Sequence, residues 1–169
     1  MHYMKELLRD WGLALLMGLL LFGAYQVLAP QPVSGGNAPG LRLPALQGGE
    51  LSLASFDEEV IVVNFWATWC GPCRQEIPDL AAVDRSDKNV VVIGVSEDDA
   101  LSVDALANAS RRLGITYPVL HDRTGQAARA WGVTGFPTTF VLNQEREVVD
   151  VRMGVVDRPR LEAMIARAR

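Results

Sequence analysis

Two runs dominate the polarity pattern of the chain. Glu59–Trp66 (EVIVVNFW) and Val90–Val95 (VVVIGV) are almost continuously apolar. That is the pattern of strands covered on both faces; a strand with one wet face alternates. Leu51-Ser52-Leu53 does alternate and predicts a short strand, and Tyr117–Leu120 predicts another. Helical spacing follows the first long run. Ile77, Leu80, Ala81 and Val83 continue a helix that begins near Arg74, with Pro78 expected to kink it. Leu101, Ala105, Leu106, Ala109 and Leu113 predict a helix over Asp99–Leu113. A short helix is expected over Thr124–Trp131, stopped by Gly132. Thr138–Leu142 and Val148–Met153 flank a polar Asn143-Gln144-Glu145-Arg146 turn and predict a hairpin. The closing helix, Asp157–Ala168, has Asp157 as its cap and Pro159 in its first turn. Strands that alternate with helices imply a central sheet flanked by helices, and the hairpin makes that sheet mixed. The fold class is therefore α/β.

The N-terminus follows a different pattern. Trp11–Leu28 (WGLALLMGLLLFGAYQVL) has no charged residue. As a helix it would extend roughly 27 Å, about one bilayer core. A cleaved secretory signal is the competing reading, but the run is longer than the usual signal core and no clear small-x-small cleavage site follows it. A buried core helix is not expected, because the run is apolar on every face and ends in a linker. Lys5 and Arg9 precede the run and no basic residue follows until Arg42, so the N-terminus is expected inside and the domain outside. Pro30–Gly40 (PQPVSGGNAPG) reads as a linker. The expected division is 1–29 as cytoplasmic stub and transmembrane anchor, 30–40 as linker, and 41–169 as the folded domain.

Composition narrows the function. In 169 residues, 49% hydrophobic, one packed core fits alongside the appendage. A formal charge of −4, with Lys and Arg scattered, gives no footprint for nucleic acid. The chemistry concentrates in Cys70-Gly71-Pro72-Cys73, which holds both cysteines of the chain. Between a strand end and a helix start, the first sulfur of such a pair is a poised thiolate and the second its resolving partner. A structural disulfide over so short a loop would stabilise little. A zinc site needs two further ligands, yet His2 and His121 are the only histidines. Haem attachment would need a histidine where Arg74 stands. No metal and no cofactor are expected.

WATWCGPCRQEIP followed by GVTGFPTTFVLN resembles the TlpA/ResA-like branch of membrane-anchored thioredoxin-fold proteins, from about Ala38 to the C-terminus. The resemblance implies a thioredoxin-like fold with an inserted strand-helix segment within about Asp98–Trp131. It also implies thiol-disulfide exchange outside the cytoplasm, mostly in the reducing direction. Cys70 is then the nucleophile and Cys73 the resolving thiol. Glu76, one helical turn after Cys73, could move the proton of Cys73, and family members often carry an acid there. Asn64 stands where ordinary cytoplasmic thioredoxins carry a buried aspartate, which places more of the proton work on Glu76. Pro137 matches a cis-proline beside the disulfide. With Thr134, Gly135 and Phe136 it would hold an extended client segment, while Trp69, Gly71 and Pro72 would complete the docking surface. His121, beside Asp122, is expected to close a strand and stay outside the site.

The expected function is a reductase of disulfides in exported proteins, apocytochrome c among them, re-reduced by a transmembrane electron donor of thioredoxin-reducing type. The expected location is the bacterial inner membrane with the domain facing the periplasm or exterior. A disulfide oxidase or isomerase would use the same pair in reverse. A thiol peroxidase would usually carry threonine where Ala67 stands, and a non-enzymatic docking module would not need the cysteines.

Overall fold

The two long apolar runs lie side by side in the middle of one sheet. The computed structural model describes residues 2–28 and 31–169, with side chains described for 11–25 and 31–169. In chain order the elements are α1 (His2–Leu28), β1 (Arg42–Pro44), β2 (Glu50–Ser52), a 3-10 turn (Leu53–Ser55), β3 (Val60–Trp66), α2 (Gly71–Ser86), β4 (Val90–Ser96), α3 (Val103–Arg112), β5 (Val119–His121), α4 (Gln126–Ala130), β6 (Thr138–Leu142), β7 (Val148–Met153) and α5 (Arg158–Arg167). The main sheet has the order β5-β4-β3-β6-β7, and β1 pairs with β2 in a small separate sheet. β3 and β5 run parallel to β4, whereas β6 runs antiparallel to β3 and β7 antiparallel to β6. The sheet is thus mixed, with β3 at its centre. Between β4 and β6 the chain inserts α3, β5 and α4.

Every residue of β3 is buried, so its alternation separates two cores. Ile61, Val63 and Phe65 face one side, with Leu120, Ala127, Ala128, Trp131 and Phe140. There Phe65, Trp131 and Phe140 form a cluster with ring centroids 4.9–5.7 Å apart. Val60 and Val62 face the other side, against Leu80, Ala81 and Val83 of α2 and Leu161, Met164 and Ile165 of α5. Each buried Val, Leu, Ile or Met there contributes roughly 1.5–3 kcal/mol by leaving water. The same alternation turns Asn64 and Trp66 toward the α2 side. Gly94 of β4 is paired with Asn64 across the ladder. A Cβ at Gly94 would lie 3.0 Å from Trp66 Nε1 and 3.2 Å from the Tyr117 ring, so glycine is what lets both aromatics pack there.

Residues 33–38, within the expected linker, run along the folded domain. Val33 N–H donates to the Trp131 carbonyl (3.1 Å), Gly35 N–H to that of Val148 (3.1 Å) and Ala38 N–H to that of Arg146 (2.9 Å). Gly132, the expected helix stop, has φ +66°, and a Cβ there would lie 2.2 Å from the Gln31 carbonyl oxygen. Only glycine permits that crossing.

The expected helix forms as part of α1, but its crossing of a membrane is not shown. The described side chains of α1 run from Trp11 to Tyr25 and all are exposed. Among the described residues, no helix is long and apolar enough to cross a membrane. The side chains of the expected stub, Met1–Asp10, and of Gln26–Leu28 lie outside the described residues, as do Ala29 and Pro30.

Candidate active site

Cys70 and Cys73 are joined by a disulfide at the start of α2. β3 ends at Trp66, and the turn Ala67–Trp69 delivers Cys70 to the N-cap position. Its Sγ accepts from the Cys73 N–H at 3.1 Å. Pro72 fits in the first turn, where no intrahelical donor is needed. Once reduced, a sulfur at this cap faces the free N–H groups and the positive end of the helix dipole, which favour the thiolate. Both cysteines are buried, Cys73 the more completely. Cys70 is 5% exposed, while Cys73 is 0% exposed.

One turn further on, Glu76 is fully buried. Its Oε1 accepts from Asn64 Nδ2 at 2.6 Å and its Oε2 from the Val156 N–H at 2.9 Å. Asn64 Nδ2 also donates to Thr139 Oγ1 at 3.0 Å. Loss of water raises the Glu76 carboxyl to about 7, since the Val156 and Asn64 donors offset only part of that penalty. Tyr117 lies close by. Its buried phenol is pushed up, first by desolvation and then by the charges of Glu76 and Asp84.

The docking residues come from three segments. Trp69 is 66% exposed and meets the Phe136 ring edge-on at 5.7 Å. Phe136 also packs against the cluster that holds both cysteines. The Phe136–Pro137 bond is cis. The Pro137 carbonyl accepts from the Gly154 N–H (2.8 Å), and the Gly135 carbonyl accepts from the Thr138 hydroxyl (2.8 Å). Gly71, Pro72 and Thr134 are exposed, Gly135 and Phe136 half-buried, and Pro137 buried. His121 ends β5, as the sequence predicts.

Two groups escape a reading of the sequence. Asp98 is buried, and its carboxylate accepts from the Thr68 N–H (2.9 Å), the Thr68 hydroxyl (2.6 Å) and the Ser96 hydroxyl (2.6 Å). Arg74 donates to the Thr68 carbonyl at 2.8 Å. Thr68, two residues before Cys70, is therefore tied at every polar atom. The Asp98 carbonyl in turn is held by His121 Nε2 at 2.8 Å. The second missed group is the Val156 N–H on Glu76, a backbone atom with no side-chain signal. Among the described residues, no cluster of His, Cys, Asp and Glu could hold a metal ion.

Residues 34–151 match the family described as AhpC/TSA. The chain belongs to the AhpC/TSA family. It is 30% identical over 167 residues to the thioredoxin-like protein YneN of Bacillus subtilis, covering 94% of this chain and 96% of that one. It is 33% identical to the thiol-disulfide oxidoreductase ResA of the same organism, over 72% of this chain and 68% of that one. Among solved structures it resembles a DsbF homologue from Corynebacterium diphtheriae (TM-score 0.70, 28% identity, 78% of this chain and 86% of that one). It also resembles a thioredoxin-family thiol:disulfide interchange protein from Chlorobium tepidum (TM-score 0.68, 29% identity, 82% and 99%). Within the AhpC/TSA family it is a thioredoxin-fold thiol-disulfide oxidoreductase of the TlpA/ResA-like kind.

Proposed function

We propose that this chain is a membrane-anchored reductase that opens disulfides in exported proteins on the outer side of a bacterial inner membrane. The observation that carries the reading is the graded burial of the pair. Cys70 keeps 5% exposure next to an exposed Trp69, while Cys73 has none and lies one turn from a buried carboxyl raised to about 7. That asymmetry supports the following order of steps. The Cys70 thiolate attacks one sulfur of a client disulfide and forms a mixed disulfide, and the client's other sulfur leaves and takes up a proton. Glu76 accepts the proton of Cys73. The Cys73 thiolate then attacks Cys70 Sγ, restores the Cys70–Cys73 disulfide and expels the second client thiolate, which is protonated in turn. Two electrons and two protons pass to the client. A transmembrane dithiol donor is proposed to return them.

Trp69, Gly71, Pro72 and Thr134–Pro137 are proposed to hold the client as an extended segment. The uncharged run Trp11–Leu28 supports an anchor. Apocytochrome c is the client class that the family resemblance implies. Ala67, where a thiol peroxidase would usually carry threonine, argues against peroxide as the substrate.

The test is a trap. Cys73→Ser, expressed in the native host, should accumulate mixed disulfides between Cys70 and exported cysteine-containing proteins. An empty trap, together with full activity of that variant, would refute the exchange mechanism.

A further inference from the structure

The buried pair Asn64–Glu76 is not fully satisfied. Asn64 Nδ2 serves two oxygens, Glu76 Oε1 and Thr139 Oγ1. Asn64 Oδ1 is buried with no partner among the described residues. Which way a side-chain amide points is decided by its neighbours' donors and acceptors. Here those neighbours change with one proton. Ionised Glu76 is an acceptor only, so the amide must offer N–H. When Glu76 takes the proton of Cys73, Oε2 remains the acceptor of the Val156 N–H, because a backbone amide can only donate. The proton then sits on Oε1, facing Asn64. An N–H there would meet the acid's own O–H or its weaker remaining lone pair, whereas a C=O would accept that proton.

We infer that Asn64 is a positioning residue whose amide reverses with the proton on Glu76: N–H toward the carboxylate, C=O toward the acid. The reversal keeps every contact in place. Oδ1 would then accept from Oε1–H and from the Thr139 hydroxyl, which can donate as readily as it accepts. The 2.6 Å spacing to Oε1 suits this arrangement. It lies within the usual range for O–H···O, about 2.5–3.0 Å, and just below that for N–H···O, about 2.7–3.2 Å. Either orientation leaves one polar atom of the amide unpartnered, so neither is locked by an extra bond. The amide is thus a two-position element that follows the proton and holds it on Oε1, away from solvent, until it is returned.

The groups that face Glu76 are consistent with this. Its own helix supplies Cys73, β3 supplies Asn64, β6 supplies Thr139 through Asn64, and the segment before α5 supplies the Val156 N–H. Tyr117, ahead of β5, feels the Glu76 charge, and its phenol stays protonated. No cation is among the causes of the Glu76 shift.

The inference rests on Glu76 being the proton acceptor, and its test separates the two ideas. The full chain, in its disulfide form in detergent micelles, is labelled with 15N-asparagine and 13Cδ-glutamate. It is titrated by NMR from about pH 5 to pH 9, a span that brackets a carboxyl shifted by burial. The Glu76 carboxyl carbon and the Asn64 side-chain nitrogen should titrate with one midpoint. Cross-peaks from the Asn64 NH2 protons to Thr139, present above that midpoint, should be lost below it. Cross-peaks that persist while Glu76 titrates would overturn the amide reversal and leave the proton role of Glu76 intact. A Glu76 carbon that does not titrate in this span would overturn both.

Discussion

A carboxyl that titrates near 7 in the fold and near 4.5 outside it ties stability to pH. Between those values the unfolded chain has released the proton that folded Glu76 still holds. The contribution of Glu76 to stability is therefore highest below pH 4.5, declines through the interval and is lost above about 7. The slope from this one group reaches at most about 1.4 kcal/mol per pH unit, and the total is on the order of 3 kcal/mol. Glu76→Gln keeps the shape and removes the proton. Urea unfolding of the oxidised variant should lose this decline, so that the difference from wild type grows from acid to neutral pH. A constant difference would mean that Glu76 titrates as an ordinary surface carboxyl. Much of this residue's placement was legible in advance, since three-residue spacing puts it on the face of Cys73. Its partners were harder to find. Asn64 meets it only because β3 alternates and packs under α2. Val156 contributes a backbone N–H, which any residue but proline supplies.

At the scale of elements, the apolar runs gave the central strands almost to the residue, because strands buried on both faces leave no polar break. Shorter elements shifted. β5 begins at Val119, two residues after the expected start, because Pro118 has no N–H for a ladder and serves through its carbonyl, which accepts from Gly94. α3 begins at Val103 because the Ser102 hydroxyl caps it through the Ala105 N–H. The connection from β3 to α2 was legible as chemistry but not as structure. Its anchor, Asp98, lies just past the end of β4 and belongs to no motif. Asp98→Ala would leave three donors from Thr68 and Ser96 without their acceptor, a loss of about 2–4 kcal/mol in all. The variant should unfold at lower urea and should also slow disulfide exchange, because Trp69 and Cys70 follow Thr68 directly. Wild-type stability and wild-type exchange rate in this variant would show that the carboxylate does not position the loop.

At the scale of the molecule, the sheet, the insertion between β4 and β6 and the closing helix bring four distant segments to one end of β3: Trp69–Glu76, Asp98, Thr134–Pro137 and Gly154–Val156. Two of them were visible as motifs. The others serve mainly through a buried carboxylate and backbone amides, whose contacts exist only once the chain is folded. The N-terminal run divides in the same way, since its lack of charge is plain in the sequence while its setting depends on what surrounds it. Whatever the setting, the account requires a dithiol that cycles. The direct measurement equilibrates the full chain with mixtures of reduced and oxidised glutathione and counts free Cys70 and Cys73 by alkylation. The account predicts one two-electron transition on the reducing side, nearer to thioredoxin at about −270 mV than to an oxidant at about −120 mV. Cysteines that never exchange with glutathione, or a transition near the oxidant value, would contradict it.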